Sequence, residues 1–342
     1  MAENKVTFSD IAKYTCFSKT TISRYFNNPE SVTLENQAKI ETALKELNYK
    51  KNKIAKILAS GHSECIGIIM PTLFYDDYHS AMLNQLLSTY PDYGYKFMVF
   101  TGHGDIQTER KYIQELLAYK VEGLIVLSHT MPSEELAGYS IPVVGIERED
   151  RHIHSVRSGN YPGACLATEL LIQNHCEKLF FIGRDLPATI PSHRRMEAFE
   201  DTCDRYQVSH KMYLHKAVNS YEENRDIIMK NFLDIEKNYP KEKLGIFVEN
   251  DTQAHILLNI ILRKYGKLPK RFRIIGFDDS PISRESVIPT STVGQQIDVI
   301  AKTALDILVA EIAERKKRRP NPSAELIHQI ITPILHNRET TD

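Results

Sequence analysis

Tryptophan is absent from the 342 residues, and the five cysteines (Cys16, Cys65, Cys165, Cys176 and Cys203) are odd in number and never form a Cys-x-x-Cys pair. That usage argues against a disulfide framework and reads as free thiols in a reducing compartment. No apolar run approaches the roughly 18 residues needed to span a bilayer. The chain opens Met-Ala-Glu-Asn-Lys, without the apolar stretch of a secretion signal. A cytoplasmic protein without a membrane partner is expected. No nucleophile–base pairing with a recognisable motif is visible, so neither a catalytic residue nor a cofactor is expected. His152-Ile-His154 has ligand-like spacing but no further ligand close by, which argues against a metal. Gly102-His-Gly104 is a lone glycine loop without the remaining phosphate-binding spacing.

What is present is an uneven charge distribution on a chain long enough for two or three packed units. The formal net charge is −1 and the apolar content 42%, as a globular protein requires. Through His62 there are 10 Lys/Arg against 6 Asp/Glu; the remainder carries 33 against 38. A small basic head on an acidic body suits a head that meets phosphates and a body that does not.

Residues 7 to 27 carry two short capped helices almost end to end. Thr7 can cap the first, with Asp10 three places on as a capping-box partner, and Ile11 and Ala12 face inward. Ser18 caps the second, whose buried stripe is Ile22 and Phe26, leaving Lys19, Thr20, Thr21, Ser23 and Arg24 outside. A tight turn at Tyr14 to Phe17 joins them, as in a helix-turn-helix. A third helix is predicted near Leu34 to Leu47. The basic stretch from Lys50 to Gly61 is too short to hold a helix alone and reads as a linker that folds when docked.

Asp-Ile-Ala-Lys-Tyr, Ser-Lys-Thr-Thr-Ile-Ser-Arg, the Thr33 to Ile40 block, Leu47-Asn48-Tyr49 and Asn52 follow one another as in the headpiece of the LacI/GalR family of bacterial transcription regulators, which this chain resembles. The resemblance implies double-stranded DNA as a partner, with the second helix in the major groove. Lys19 and Thr20 would then choose the operator and Arg24 would read guanine through a bidentate contact. Thr7, Ser18, Thr21, Ser23 and Asn27 would position that helix, largely through phosphates. The linker matches the family's hinge helix, opened by Asn52. Leu58 would wedge into the minor groove beside Ala55, with Lys53 and Lys56 on phosphates. Cys16 replaces the usual turn glycine, so a reshaped turn is expected, and Lys51 replaces the hinge proline.

From Cys65 onward, short apolar runs (66–70, 96–100, 124–127, 143–146) alternate with amphipathic stretches, and a second series follows (179–183, 244–248, 273–277). The alternation predicts βαβ units with parallel buried sheets. Helices are predicted near 162–174, 193–206, 221–237 and 252–265. Ile297 to Arg319 should form one long helix returning to the first lobe, and Glu325 to Leu335 a closing strand on the second. The fold expected is an all-α headpiece (1–50), a hinge (51–62), and an α/β core of two Rossmann-like lobes (63–338). Lobe 1 should cover about 63–157 and 296–322, and lobe 2 about 158–295 and 323–338. Arg315-Lys-Lys-Arg-Arg319 looks like a nucleic-acid patch, but it ends a predicted helix before Pro320 and reads as a solvated terminus.

The body resembles the periplasmic-binding-protein-like core of the same family, nearly to its end. A small-molecule effector is implied in the cleft between lobes. Arg195 matches the family's ligand arginine, Asn250 and Asp278 would bond vicinal hydroxyls, and Gln295 falls on another cleft position. Phe74 and Tyr161 are the expected apolar face for a sugar. The Arg194-Arg195 pair raises a sugar phosphate as an option. No leucine-heptad tail follows, so a homodimer is expected. The implied function is a ligand-responsive repressor of carbohydrate genes. The alternatives are a sugar-capture receptor without a DNA role, a corepressor-dependent regulator, and a sugar-modifying enzyme.

Overall fold

The computed structural model describes residues 6–50, 57, 62–71, 77–102, 104–218, 220–317, 319 and 325–342, without the side chain of Asn27. They divide into two compact units, Met1–His62 and Ser63–Asp342.

In the first unit, α1 (Phe8–Thr15), α2 (Lys19–Asn27) and α3 (Leu34–Glu46) close around Ile11, Ala12, Ile22, Val32, Ile40 and Ala43. Phe8 and Phe26 stack with ring centroids 5.0 Å apart, and Tyr49 leans on both. Nine residues make a helix that would not persist alone in water, so α2 depends on this packing and on its cap. The Ser18 hydroxyl accepts the Thr21 N–H at 3.1 Å. At α1, the Asp10 carboxylate accepts from both the N–H (2.8 Å) and the hydroxyl (2.7 Å) of Thr7. The joining turn is not reshaped. Cys16 holds the left-handed conformation itself, at φ 57°, with an exposed thiol.

The second unit begins with β1 (Cys65–Met70), α4 (Asp77–Ser88), α5 (Tyr90–Tyr93), β2 (Lys96–Thr101), α6 (Ile106–Ala118), β3 (Gly123–Val126), α7 (Ser133–Ala137), β4 (Val143–Ile146) and β5 (His154–Ser158). It continues with α8 (Asn160–Gln173), β6 (Lys178–Arg184), α9 (His193–Arg205), β7 (Ser209–His215), α10 (Tyr221–Asn238), β8 (Leu244–Val248), α11 (Asp251–Tyr265), β9 (Phe272–Ile275), α12 (Pro281–Glu285) and β10 (Thr292–Gly294). It ends with α13 (Ile297–Arg315), β11 (His328–Ile331) and β12 (Ile334–His336).

Two parallel sheets result, in the orders β11-β5-β4-β3-β1-β2 and β7-β6-β8-β9. Ile66, Ile68, Leu124, Ile125, Val144, Phe180, Ile246 and Ile274 are fully buried, which is why their strands read as unbroken apolar runs. The helix α13 buries Ile300, Ala304, Leu305, Leu308 and Ile312 against the first sheet.

The segment expected as one closing strand on the second lobe divides. Its first half, β11, extends the first sheet beside β5, and β12 pairs antiparallel with β10. Pro333 stands between them. It has no N–H to continue a ladder, so the chain changes sheets there. The chain also passes between the sheets at β5–α8 and at β10–α13.

Among the described residues, no helix is long and apolar enough to cross a membrane, and no three metal-ligating side chains gather. The two histidines with ligand-like spacing are taken by the protein. His152 pairs with the Ser133 hydroxyl, and His154 accepts the Ile327 N–H at 3.0 Å.

Candidate functional site

With Ile22 buried and Phe26 half-buried, the opposite side of α2 turns to the outside. Ser18, Lys19, Thr20 and Arg24 are exposed there, with Thr21 and Ser23 half-buried. The Thr21 hydroxyl lies 2.9 Å from that of Ser18, so both belong partly to the cap. The first turn of α2 contains no acidic residue, whereas that of α1 contains Asp10. A helix N-terminus with its partial positive charge uncancelled, and Lys19 beside it, can approach phosphates and base edges closely. Thr7 caps α1 and leaves its backbone N–H and hydroxyl on Asp10. Asn52, Lys53, Ala55, Lys56, Leu58 and Phe74 lie outside the described residues, as does the side chain of Asn27.

In the body, a cavity of about 180 Å³ opens between the two sheets, at the carboxyl ends of their strands. Pro71, His129 and Glu147 follow β1, β3 and β4; Arg184 ends β6, and Asn250 and Asp278 follow β8 and β9. Parallel sheets present their strand-end loops there, which makes this the natural place for a ligand. Arg195, from the first turn of α9, and Gln295, from the passage between β10 and α13, complete the polar floor.

Arg195 is 5% exposed and firmly held. Its Nε donates to Asn160 at 2.7 Å, one terminal nitrogen to the Glu249 carbonyl at 2.7 Å, and the same nitrogen faces Asp278 at 3.4 Å. Asp278 also accepts from Gln295 at 2.5 Å. Gln295 is buried, and its Oε1 has no partner among the described residues. A ligand hydroxyl would satisfy it. Asn250 spends its Oδ1 capping α11, accepting the Gln253 N–H at 2.9 Å, so its amide nitrogen is the group left for a ligand. Asp278 and Asp279 both hold positive φ, 115° and 53°. Such backbone strain, of order 1–3 kcal/mol per residue, gathers at binding sites. The two carboxylates part company: Asp278 faces the cavity, and Asp279 is anchored by Arg338.

The cavity wall includes groups that the sequence did not single out. His129 places Nε2 2.6 Å from the Glu147 carbonyl oxygen, so Nε2 carries the hydrogen and Nδ1 keeps its lone pair. His129 is exposed to the open cavity, but the protein packed around it, and then the Arg148 charge, pull its pKa down to about 4, so the ring is neutral near pH 7. Burial also pushes the Glu147 carboxyl up, against the Ser158 N–H that donates to it at 2.6 Å. Glu249 goes the other way. Burial alone would raise it, but the Arg184 guanidinium and N–H together hold it below the usual range. Tyr78 supplies the aromatic surface.

Tyr161, expected in that role, does not line the cavity. Its hydroxyl donates to Asp201 at 2.7 Å, on the side of α8 that meets α9. Arg194 does not line the cavity either; it meets Glu149 at 3.4 Å and Glu197 at 3.6 Å.

Residues 7–52 match the family model of bacterial regulatory proteins, lacI family, and residues 168–341 that of a periplasmic binding protein-like domain. The chain is 26% identical to the sucrose operon repressor of Pediococcus pentosaceus, covering 91% of this chain and 93% of the relative. It is 28% identical to the ribose operon repressor of Halalkalibacterium halodurans, covering 90% and 91%. Its fold is that of the lac repressor dimer bound to operator and the anti-inducer ONPF, with a TM-score of 0.83 at 22% identity over 99% of each chain. With its head matched by the one model and more than half its length by the other, the chain belongs to the lacI family of bacterial regulatory proteins, as a DNA-binding helix-turn-helix head joined to a periplasmic-binding-protein-like body.

Proposed function

We propose that the protein is a repressor of carbohydrate-utilisation genes, working in the bacterial cytoplasm on the nucleoid and without enzymatic activity. Two copies place their α2 helices in successive major grooves of a near-palindromic operator. A sugar in the inter-lobe cavity alters the orientation of the lobes and shifts operator affinity by a coupling free energy of about 1–3 kcal/mol. Asn52, Lys53, Ala55, Lys56 and Leu58 form the hinge in this reading, with Leu58 as the minor-groove wedge.

The observation that carries the reading is the exposed, acid-free start of α2, with Lys19, Thr20 and Arg24 beside it, within the matched head. The names of the sucrose and ribose operon repressors support a sugar ligand. So do the unpartnered Gln295 oxygen and the Nδ1 lone pair of His129, both acceptors suited to hydroxyls. An uncharged sugar fits better than a phosphorylated one, because Arg194 is engaged with Glu149 and Glu197.

The test is selection of duplexes from a random pool by the purified protein, repeated with sucrose or ribose present. A recovered palindromic sequence whose binding weakens with one sugar supports the reading. Tighter binding with sugar would make the ligand a corepressor, and a pool without enrichment would sink it.

A further inference from the structure

In the basic run 315–319, Arg315, Lys316, Lys317 and Arg319 are exposed, as a solvated helix end should be, but the first two also meet the first sheet. The helix α13 stops at Arg315, so the run lies at its last residue and beyond it. Arg315 donates to the Ser140 carbonyl at 2.7 Å, just before β4. Lys316 bridges to Glu122, just before β3, and that same carboxylate accepts the backbone N–H of Glu64 at 2.8 Å. Ser63, the first residue of the body, donates its hydroxyl to the Lys120 carbonyl at 2.6 Å. Lys96, which opens β2, faces Glu64 at 3.7 Å.

Arg315 and Lys316 are therefore fastened to the amino-terminal edge of the first sheet, opposite the cavity, where the body begins at Ser63. The exposed side chains of Lys120, Arg315, Lys316, Lys317 and Arg319 join Lys96 there, against the carboxylates of Glu64, Glu122 and Glu314.

We infer that this edge of the body is a second, sequence-independent contact surface for duplex phosphates. The inference rests on the DNA-binding reading and extends it from the head to the body. Two arguments support the occupant. The body begins at Ser63 on this edge, so the chain that leads to the DNA-binding head departs from it. The edge also concentrates positive charge on a body that is otherwise acidic, and clustered cations beside a polyanion are held by counterion release.

The test uses the full chain and a random-sequence duplex of about 40 base pairs, because phosphate contacts carry no sequence. Lys120→Gln, Lys317→Gln and Arg319→Gln are combined, sparing Lys316 because it holds a buried carboxylate. A control removes equal charge from the second lobe, at Lys241, Lys267 and Lys270, all exposed. The slope of log affinity against log salt should become shallower by about 2–3 in the first variant and stay unchanged in the control, with binding at 0.1 M salt weakened by more than about tenfold. Equal slopes in all three proteins, or equal losses in both variants, would overturn the inference. In the unaltered protein, excess duplex should slow acetylation of Lys120 and Lys317 but not of Lys241; equal rates with and without duplex would also overturn it. A selection that recovers no operator would sink the regulator reading while leaving this measurement interpretable.

Discussion

The guanidinium of Arg195 lies over the ring of Phe277, 3.7 Å from its centroid, and Phe277 is the residue just before Asp278. The cleft's cation is thus supported from beneath by the strand end that delivers its carboxylate. Phe277 rests in turn against Gly163, where an added Cβ would come within 2.9 Å of the ring. A desolvated cation over an aromatic face gains about 2 kcal/mol, and the guanidinium also holds the Asn160 side chain and the Glu249 carbonyl.

Arg195→Gln should therefore do two things. It should abolish the effect of sugar on DNA binding, and it should cost the body about 3 kcal/mol, since the buried partners lose their donor. Denaturant unfolding and DNA titration read the two separately. Wild-type stability would show that the network does not depend on Arg195. Gly163→Ala should mimic the ligand defect more weakly by displacing Phe277.

On the head, Arg24 is exposed on α2 and its loss should leave the fold intact. Arg24→Gln should reduce discrimination between the selected operator and a scrambled duplex by about 1–3 kcal/mol, the worth of one bidentate base contact. Competition binding at fixed salt measures it. Unchanged discrimination would remove Arg24 from the reading edge.

How much of this was legible beforehand depends on how local each cause is. The caps at Thr7 and Ser18, the inward Ile11 and Ile22, and the apolar runs of β1, β3, β6 and β8 are written within a few neighbouring residues. The strands β5 and β7, with sequences His-Ser-Val-Arg-Ser and Ser-His-Lys-Met-Tyr-Leu-His, carry too few apolar residues to stand out, and β7 is an edge strand. The passage of 328–336 from one sheet to the other depends on which edges are vacant, a property of the assembled fold. His129, Glu147 and Arg184 are single polar residues at strand ends, and only the closure of two sheets brings them onto one cavity. Tyr161 has the residue type for an apolar face, but its side of α8 meets Asp201 instead.

The left-handed Cys16 offers a direct measure of backbone strain. A side chain in that conformation costs roughly 1–2 kcal/mol, and glycine escapes it at some cost in unfolded-state entropy. Cys16→Gly should stabilise the head by roughly 0.5–1 kcal/mol. Cys16→Ala should not, because its Cβ remains. Amide hydrogen exchange of α1 and α2 in the full chain reads the local opening free energy. Equal protection in both variants would mean that the turn stores no strain.

Asp251 sits beneath the cleft, 1% exposed, with one carboxylate oxygen on the Ser280 N–H at 2.8 Å and the other without a partner among the described residues. Burial, and then the Asp278 charge, raise its carboxyl well above the ordinary aspartate range, against the pull of the Thr292 hydroxyl and the Ser280 N–H. A group whose folded pKa is raised holds a proton that the unfolded chain has released. Its stabilising contribution is complete below about pH 4, the unfolded value, and is lost as pH rises through the folded value. Asp251→Asn carries no such proton, so its stability relative to wild type should improve steadily from pH 4 toward neutrality. The difference between the two proteins is the quantity to follow, because Glu147 is raised and Glu249 lowered in both. Denaturant midpoints at a series of pH values supply it. A constant difference across the series would mean that Asp251 is ionised in the folded body like an ordinary carboxylate.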